Sequence, residues 1–437
     1  MVVSQGAFAV MIFCDRMFMS MIDAPHMAAS LGGGVASFFC MSLFIGVITY
    51  ANALVAQYYG AGEYSKCSRV TTQGFLIALA STPILVLAAL YGGEAFVHLG
   101  HEESQVPLEQ VYFQILMLGS GFALVKATLA SYFSGIGRTR VVMIADVFGT
   151  VLNIPLSWIL IFGEFGLPEL GIAGAALGTV IATIFAIIVY LIFYLSAAHQ
   201  QEFSVPASWR FDRAIMRRYI RLGMPSGLEM FMNVATFNLF LLLFQSYGVV
   251  QGAAMAIVFN WDMLSFIPMI GLNIGVMSLI GRFVGAGDMG RANQVIASGF
   301  MVALGYSAVL AVVFLIFRDS LVAIFVTTDP DSAEIHALAS HMMLGLVSYM
   351  IADAIILISG GALRGAGDTR WIMVASTSLH WVMLIIQYFV ILVYQLGPKV
   401  SWWVFVASLI CLALLYLSRL LGSTWREPER LAKMMTG

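Results

Sequence analysis

Ionisable side chains stand inside long apolar runs of this 437-residue chain, and they limit the chemistry it can perform. Asp15, Arg16, Lys126, Glu229, Asp262, Asp353 and His380 each fall within a run long enough to cross a bilayer. A charge at that depth is costly and is functional by default. Helical rise from the nearest flanking arginine puts Glu229 about 12 Å in, His380 about 15 Å, Asp353 about 16 Å and Lys126 about 18 Å. Tyr349 precedes Asp353 by four residues, so a phenol and a carboxylate share one helix face. Oxygen-only groups of this kind suit a hard cation, and the carboxylates equally accept protons. In the first half, Asp15 has polar company in Asn153 and Ser157, one turn apart.

Glu229 and Asp353 have no lysine or arginine deep within a run of their own half, since Arg221 and Arg419 stand near run ends, which makes them poor helix glue and good ion-coupling groups. For Arg16 and Lys126, pairing between helices is the plainer expectation, with contact to substrate or coupling ion the alternative for Lys126. Asp262 and His380 divide evenly between such pairing and contact with substrate or coupling ion. Asp146 follows Arg140 by six residues and reads as a helix-end charge facing headgroups.

The elements that must position these groups are apolar segments of about 20 residues, the length of a span. Twelve are expected, at 2–22, 36–59, 70–92, 107–133, 140–162, 170–197, 219–246, 252–281, 292–317, 335–363, 371–396 and 401–421. They are too long and too uniformly apolar for barrel strands, so they are helices, which satisfy their own backbone in lipid. Pro83, Pro155, Pro225 and Pro268 fall inside spans and Pro25 at an end, marking expected bends. Hydrophobic residues make up 61% of the chain, charged ones 10%, and the mean hydropathy is +0.93. Soluble domains are about 45–50% apolar and about 25% charged, which excludes a soluble enzyme and a disordered chain. A net charge of −2 leaves nothing for nucleic acid to grip.

Basic residues cluster in alternate connections: Lys66 and Arg69; Arg138 and Arg140; Arg210 through Arg221; Arg282 and Arg291; Arg364 and Arg370; and the C-terminal stretch from Arg419. The opposite connections hold Arg318 and Lys399. The positive-inside rule therefore predicts a multi-pass plasma-membrane protein with both termini in the cytoplasm. The seventh run has a basic lead-in, Arg213 to Arg221, that the first lacks, and a short preceding cytoplasmic stretch is expected.

Two loops recur. Tyr59-Gly60-Ala61-Gly62-Glu63 is matched by Val284-Gly285-Ala286-Gly287-Asp288, and Gly135-Ile136-Gly137-Arg138-Thr139-Arg140 by Gly365-Ala366-Gly367-Asp368-Thr369-Arg370. The chain reads as a duplicated six-span unit, all-α and polytopic, with twelve transmembrane helices in two pseudo-symmetric lobes. The expected division is a first lobe at 1–198, a cytoplasmic linker at 199–218, a second lobe at 219–421 and a tail at 422–437. Six spans per unit make the repeats parallel, an arrangement with a central cleft that suits alternating access. Gly285-Ala286-Gly287-Asp288-Met289-Gly290 matches GxGxxG but follows a span, not a β-strand, and reads as a turn. No P-loop, HExxH or GxSxG occurs, and no cofactor is expected. Cys14, Cys40, Cys67 and Cys411 lack metal-site spacing. His98-x-x-His101-Glu102-Glu103 reads as a solvated loop. The 26 methionines and 31 phenylalanines suit an adaptable apolar pocket, though most are expected to face lipid or pack helices.

Cys14-Asp15-Arg16-Met17-Phe18, Ala56-Gln57-Tyr58-Tyr59-Gly60-Ala61-Gly62 and Asn153-Ile154-Pro155-Leu156 occur in order in the first half. Met224-Pro225-Ser226-Gly227-Leu228-Glu229, Asn260-Trp261-Asp262 and the run Gly361 to Thr369 follow in the second. With this spacing the chain resembles multidrug and toxic compound extrusion (MATE) transporters over essentially its whole length. The resemblance implies export of hydrophobic, often cationic, small molecules in exchange for entering Na⁺ or H⁺. It implies that Asp15 is a coupling carboxylate with Asn153 as partner, and that Glu229, Tyr349 and Asp353 form a second cation site, with Na⁺ slightly favoured there. Ser157 stands where several relatives have a second acid, which weakens the first-lobe site. A secondary antiporter acting as a monomer among membrane lipids is the resulting expectation. A flippase for lipid-linked oligosaccharides would need a more cationic interior than Arg16 and Lys126 supply. An ion channel and an intramembrane enzyme are the rivals of a different class.

Overall fold

Peptide groups in hydrocarbon have no solvent to bond, so long apolar segments close their hydrogen bonds internally. The structure, a computed structural model, describes residues 1–98, 103–325 and 332–427, and among these there is no β-strand. The first half comprises α1 (Val2–Ile22), α2 (Ala24–Thr49), α3 (Ala51–Gly60), α4 (Tyr64–Tyr91), a one-turn α5 (Ala95–His98), α6 (Val106–Leu118), α7 (Ser120–Gly135), α8 (Thr139–Phe162) and α9 (Ile172–Tyr194). After the short α10 (Ala197–Phe203) come α11 (Arg213–Gln245), α12 (Val249–Gly285), α13 (Met289–Ala323), α14 (Ser332–Gly365), α15 (Thr369–Tyr388) and α16 (Pro398–Leu421). Among the described residues, eleven helical stretches are long and apolar enough to span a membrane, and α6 with α7 forms a twelfth bent by 48°. The expected fold class therefore stands.

The bend was not legible in composition. It falls at Gly119, where a Cβ would lie 2.4 Å from Val180 of α9, so a side chain at the break would collide with the neighbouring helix. Pro83, Pro155, Pro225 and Pro268 lie inside helices, whereas Pro25 starts one. Asp23 caps that start by accepting from the His26 N–H at 2.8 Å. The His98 to Glu103 loop lies largely outside the described residues.

The duplicated loops recur as duplicated geometry. Gly62 and Gly287 have φ of +76° and +71°, and Gly137 and Gly367 +76° and +82°. Each ends a helix in the left-handed cap that glycine accepts without strain. The following N–H reaches back to close the last turn: Glu63 to Tyr58 O and Asp288 to Phe283 O, both 2.9 Å, Arg138 to Phe133 O at 2.9 Å and Asp368 to Leu363 O at 2.8 Å. Packing repeats as well. A Cβ on Gly135 would stand 2.8 Å from Asn52 O and Val55 Cβ, and one on Gly365 would stand 2.6 Å from Met277 O and 3.1 Å from Ile280 Cβ.

The chain forms two compact units, one covering Val3–Phe231 and the other running from Met232 onward, with the division inside α11. In the first, Phe18, Met19, Tyr112, Ile161 and Ile172 form a buried cluster. In the second, Phe240, Phe244, Met342, Leu346, Tyr349, Trp402 and Phe405 do so. Trp402 reaches this core because position 345 is glycine; a Cβ there would sit 2.2 Å from the indole nitrogen. That nitrogen donates to Met342 O at 2.9 Å.

The segment after α9 is held against the first unit. Ser68 Oγ donates to Phe203 O at 2.8 Å, and Gln73 bridges Arg210 O and the Asp212 N–H. Buried His199 accepts from Arg138 at Nδ1 (2.9 Å), so its Nε2–H donates to Tyr132 Oη at 2.8 Å. Burial, with the Arg138 cation beside it, lowers this imidazole from its usual value to about 4.

Candidate functional site

In the first unit α1, α8 and α9 bring four polar side chains together among apolar ones. Asp15, 8% exposed, accepts at Oδ2 from Thr179 Oγ1 at 3.2 Å. Thr179 in turn accepts from Asn153 Nδ2 at 3.4 Å. Ser157, one turn beyond Asn153, also stands beside the carboxylate. Three buried oxygens of this group, Asp15 Oδ1, Asn153 Oδ1 and Ser157 Oγ, have no protein hydrogen-bond partner. Buried polar atoms are nearly always paired, so the cluster has coordinating capacity that the protein does not itself use. Phe18, Trp158 and Phe162 line one flank, with ring centroids 5.3 and 4.4 Å apart in succession.

The expected pairing of Asp15 with Asn153 is thus relayed through Thr179, which sequence reasoning missed. A threonine in an apolar helix carries little signal: Thr183, one turn on, merely bonds its own helix at Thr179 O. Arg16 points outward and is exposed. Lys126 pairs with Asp146 at 3.1 Å, and Asp146 also accepts from Tyr190 (3.4 Å) and from Ser4. Asp146 is therefore not a headgroup-facing charge but the hub of a network joining α1, α7, α8 and α9. The spacing from Arg140 gave its depth and not the direction of its side chain.

In the second unit α12 and α14 bring Asp262, Tyr349 and Asp353 together. Asp262 and Asp353 lie close enough to interact electrostatically, and the Tyr349 phenol lies close to both and within reach of Asp262. Asp262 Oδ1 and Tyr349 Oη, though within reach of each other, make no well-aligned hydrogen bond within the protein. Tyr349 is buried and backs onto Phe405 and Trp402, with centroids 5.9 and 6.3 Å away. His380 on α15 donates from Nδ1 to Ser376 O at 2.8 Å, and Ser376 Oγ accepts from Asn233 at 2.9 Å. Glu229 is buried in α11, in the stretch that belongs to the first unit. Within the second unit, the acid beside Tyr349 and Asp353 is Asp262.

Each repeat thus carries one polar cluster within its apolar helices, built on Asp15 in the first and on Asp262 and Asp353 in the second. The MatE family model matches residues 1–159 and 225–389, most of the chain. The chain belongs to the MatE family. As a MATE-family efflux transporter it is a multi-pass membrane protein and not an enzyme. It is 27% identical over 385 residues to the multidrug resistance protein MdtK of Cronobacter sakazakii, spanning 86% of this chain and 83% of that one. To MdtK of Proteus mirabilis it is 26% identical over 429 residues, spanning 96% and 92%. Among solved structures, a MOP superfamily transporter from Pyrococcus furiosus superposes with a TM-score of 0.87 at 16% identity, covering 100% of this chain and 94% of that one. The eukaryotic MATE transporter AtDTX14 superposes with a TM-score of 0.87 at 15% identity, over 99% and 95%. These likenesses show that the MATE transporter described here has the twelve-helix fold of the family.

Proposed function

We propose that the protein is a secondary antiporter that exports hydrophobic and cationic compounds in exchange for entering Na⁺ or H⁺. Its relatives are named for multidrug resistance, and its basic residues favour a plasma-membrane orientation with both termini inside. The observation that carries the coupling is the pair of acidic clusters in which buried oxygens lack protein partners. Asp15, Asn153, Ser157 and Thr179 offer oxygens alone in the first unit, and Asp262, Tyr349 and Asp353 in the second. Cation or proton arrival neutralises buried carboxylates, and neutralisation favours a different helix packing by removing the need to solvate a charge. Glu229, buried on α11, is assigned to the same coupling step. No cofactor is required, since each charge entering down 100 mV supplies about 2.3 kcal/mol, roughly fifty-fold accumulation.

Efflux of a fluorescent cationic dye from proteoliposomes, with Na⁺ and H⁺ gradients imposed one at a time, tests the assignment. Dye movement uphill under one gradient alone establishes antiport and names the ion. Dye movement under neither, by folded protein, removes the coupling proposal and points to lipid-linked cargo.

A further inference from the structure

The start of α11 carries an arginine pattern that ion coupling does not explain. Arg213, Arg217 and Arg221 follow at intervals of four, all exposed, so their guanidiniums stand in one column about 6 Å apart per step. Arg218, by contrast with these three arginines, turns inward: it is 3% exposed, donates to Gln57 Oε1 at 2.6 Å and lies over the Tyr58 ring at 4.7 Å. The column therefore stands on a helix face set by inward packing. The adjacent acid does not neutralise it. Asp212 pairs with Arg69 at 3.5 Å and accepts from the N–H groups of Ala214 and Ile215. Among the described residues, none of the three column arginines has an ion-pair partner.

Apolar groups continue the same face. Ile220, Met224 and Leu228 are exposed past Arg221, while Trp209 and Phe211 are exposed ahead of Arg213. Trp209 is held in place by stacking on Phe75, with centroids 5.9 Å apart. Going along the helix, the face passes from aromatic to cationic to aliphatic within a few turns. That profile matches the edge of a lipid leaflet, where amphipathic rings and phosphates lie at the surface and acyl chains beneath.

We propose that this face of α11 binds anionic phospholipid headgroups of the bilayer, with the phosphates on Arg213, Arg217 and Arg221 and an acyl chain along Met224 and Leu228. A soluble acidic partner would gain nothing from the aliphatic continuation. Arg221 precedes Glu229 by two helical turns, with Pro225 and its missing N–H between them. Headgroup binding thus loads the helix on which Glu229 sits, and anionic lipid is expected to raise transport. The inference rests on the chain's spanning a membrane and not on which ion is coupled.

The test is retention of phosphatidylglycerol against phosphatidylcholine by the purified full chain, read by native mass spectrometry across lipid concentrations. Each arginine is expected to contribute about fivefold. The variant Arg213→Gln/Arg217→Gln/Arg221→Gln should lose more than tenfold in apparent affinity for phosphatidylglycerol. Arg213→Lys/Arg217→Lys/Arg221→Lys should retain most of it. Arg140→Gln/Arg291→Gln/Arg370→Gln, with the same charge change elsewhere, should stay within about twofold of the parent. The single variant Arg217→Gln, expected at about fivefold, keeps the test decisive if the triple variant does not fold. Equal loss in the two glutamine triples would reduce the effect to diffuse surface charge and overturn the proposal. Retention by the column variant would overturn it outright. Displacement of the lipid by inorganic phosphate at matched concentration would show that a free anion suffices, and would overturn the lipid assignment.

Discussion

The two halves of the molecule share their turns and differ in their polar interiors. Gly62 and Gly287, and Gly137 and Gly367, adopt the same left-handed caps in equivalent loops. Inside the helices the likeness stops. The first unit surrounds one carboxylate, Asp15, with an amide and two hydroxyls, and separately ties Asp146 to Lys126. The second sets two carboxylates, Asp262 and Asp353, against one phenol. Turns and close helix contacts are constraints on backbone shape, which a duplicated chain keeps. Charge placement is free to diverge, because each half has to be solvated only on its own terms. Two acids close together must hold a proton or a cation to coexist in hydrocarbon, whereas a single acid has no second like charge to offset.

The largest expected effect follows from that difference. Asp353→Asn should abolish gradient-driven dye efflux, at least a hundredfold loss of initial rate, while the protein still reaches the membrane. Asp15→Asn should leave measurable export, a loss of roughly tenfold, about 1.4 kcal/mol. Efflux by proteoliposomes at matched protein density checks both. Full export by Asp353→Asn would remove the second cluster from coupling, and the reverse ranking would invert the comparison.

A middle effect concerns the ion pair present in the first half. Lys126→Met leaves a half-buried Asp146 with hydroxyl donors only and should lower thermal stability in detergent, by roughly 1 kcal/mol. Adding Asp146→Asn should restore most of the loss, as a coupled pair requires. If the two losses simply add, Lys126 and Asp146 do not act as a pair, and the first half loses its structural ion bridge.

The smallest effect is local. His199 is neutral when folded, with its pKa lowered to about 4, against about 6.5 when exposed. The unfolded segment therefore binds a proton first as pH falls. The contribution is whole above pH 6.5 and is lost progressively between 6.5 and 4. The protection of amides 197–208, relative to intrinsic exchange at each pH, should fall as pH drops across that window and not in His199→Gln. Protection that is flat with pH would mean that the imidazole titrates normally and that its bonds to Arg138 and Tyr132 are not kept in solution.

Most of the fold was legible because hydrocarbon leaves the backbone few choices: length and polarity alone placed the spans. The repeated glycines were legible too, since φ > 0 restricts the residue type. The bend at Gly119 was not, because the close approach that requires glycine there is to Val180, far along the chain. The site was half legible. Depth from an arginine located Glu229, His380, Asp353 and Lys126, and the four-residue spacing joined Tyr349 to Asp353. It did not reveal that Asp262 lies close to Asp353, that Thr179 links Asn153 to Asp15, or that Asp146 turns inward to Lys126. Those facts depend on the rotation of one helix against another, which apolar residues on nearly every face of a span leave unmarked.

The duplicated caps give the chain a built-in experimental replicate. A library of substitutions across Gly62, Gly137, Gly287 and Gly367 should return one fingerprint four times, with asparagine the best tolerated replacement and β-branched residues the worst. Any position that breaks the pattern would mark a loop where selection has added a demand beyond closing a helix, and would identify it without a ligand, a gradient or a transport assay.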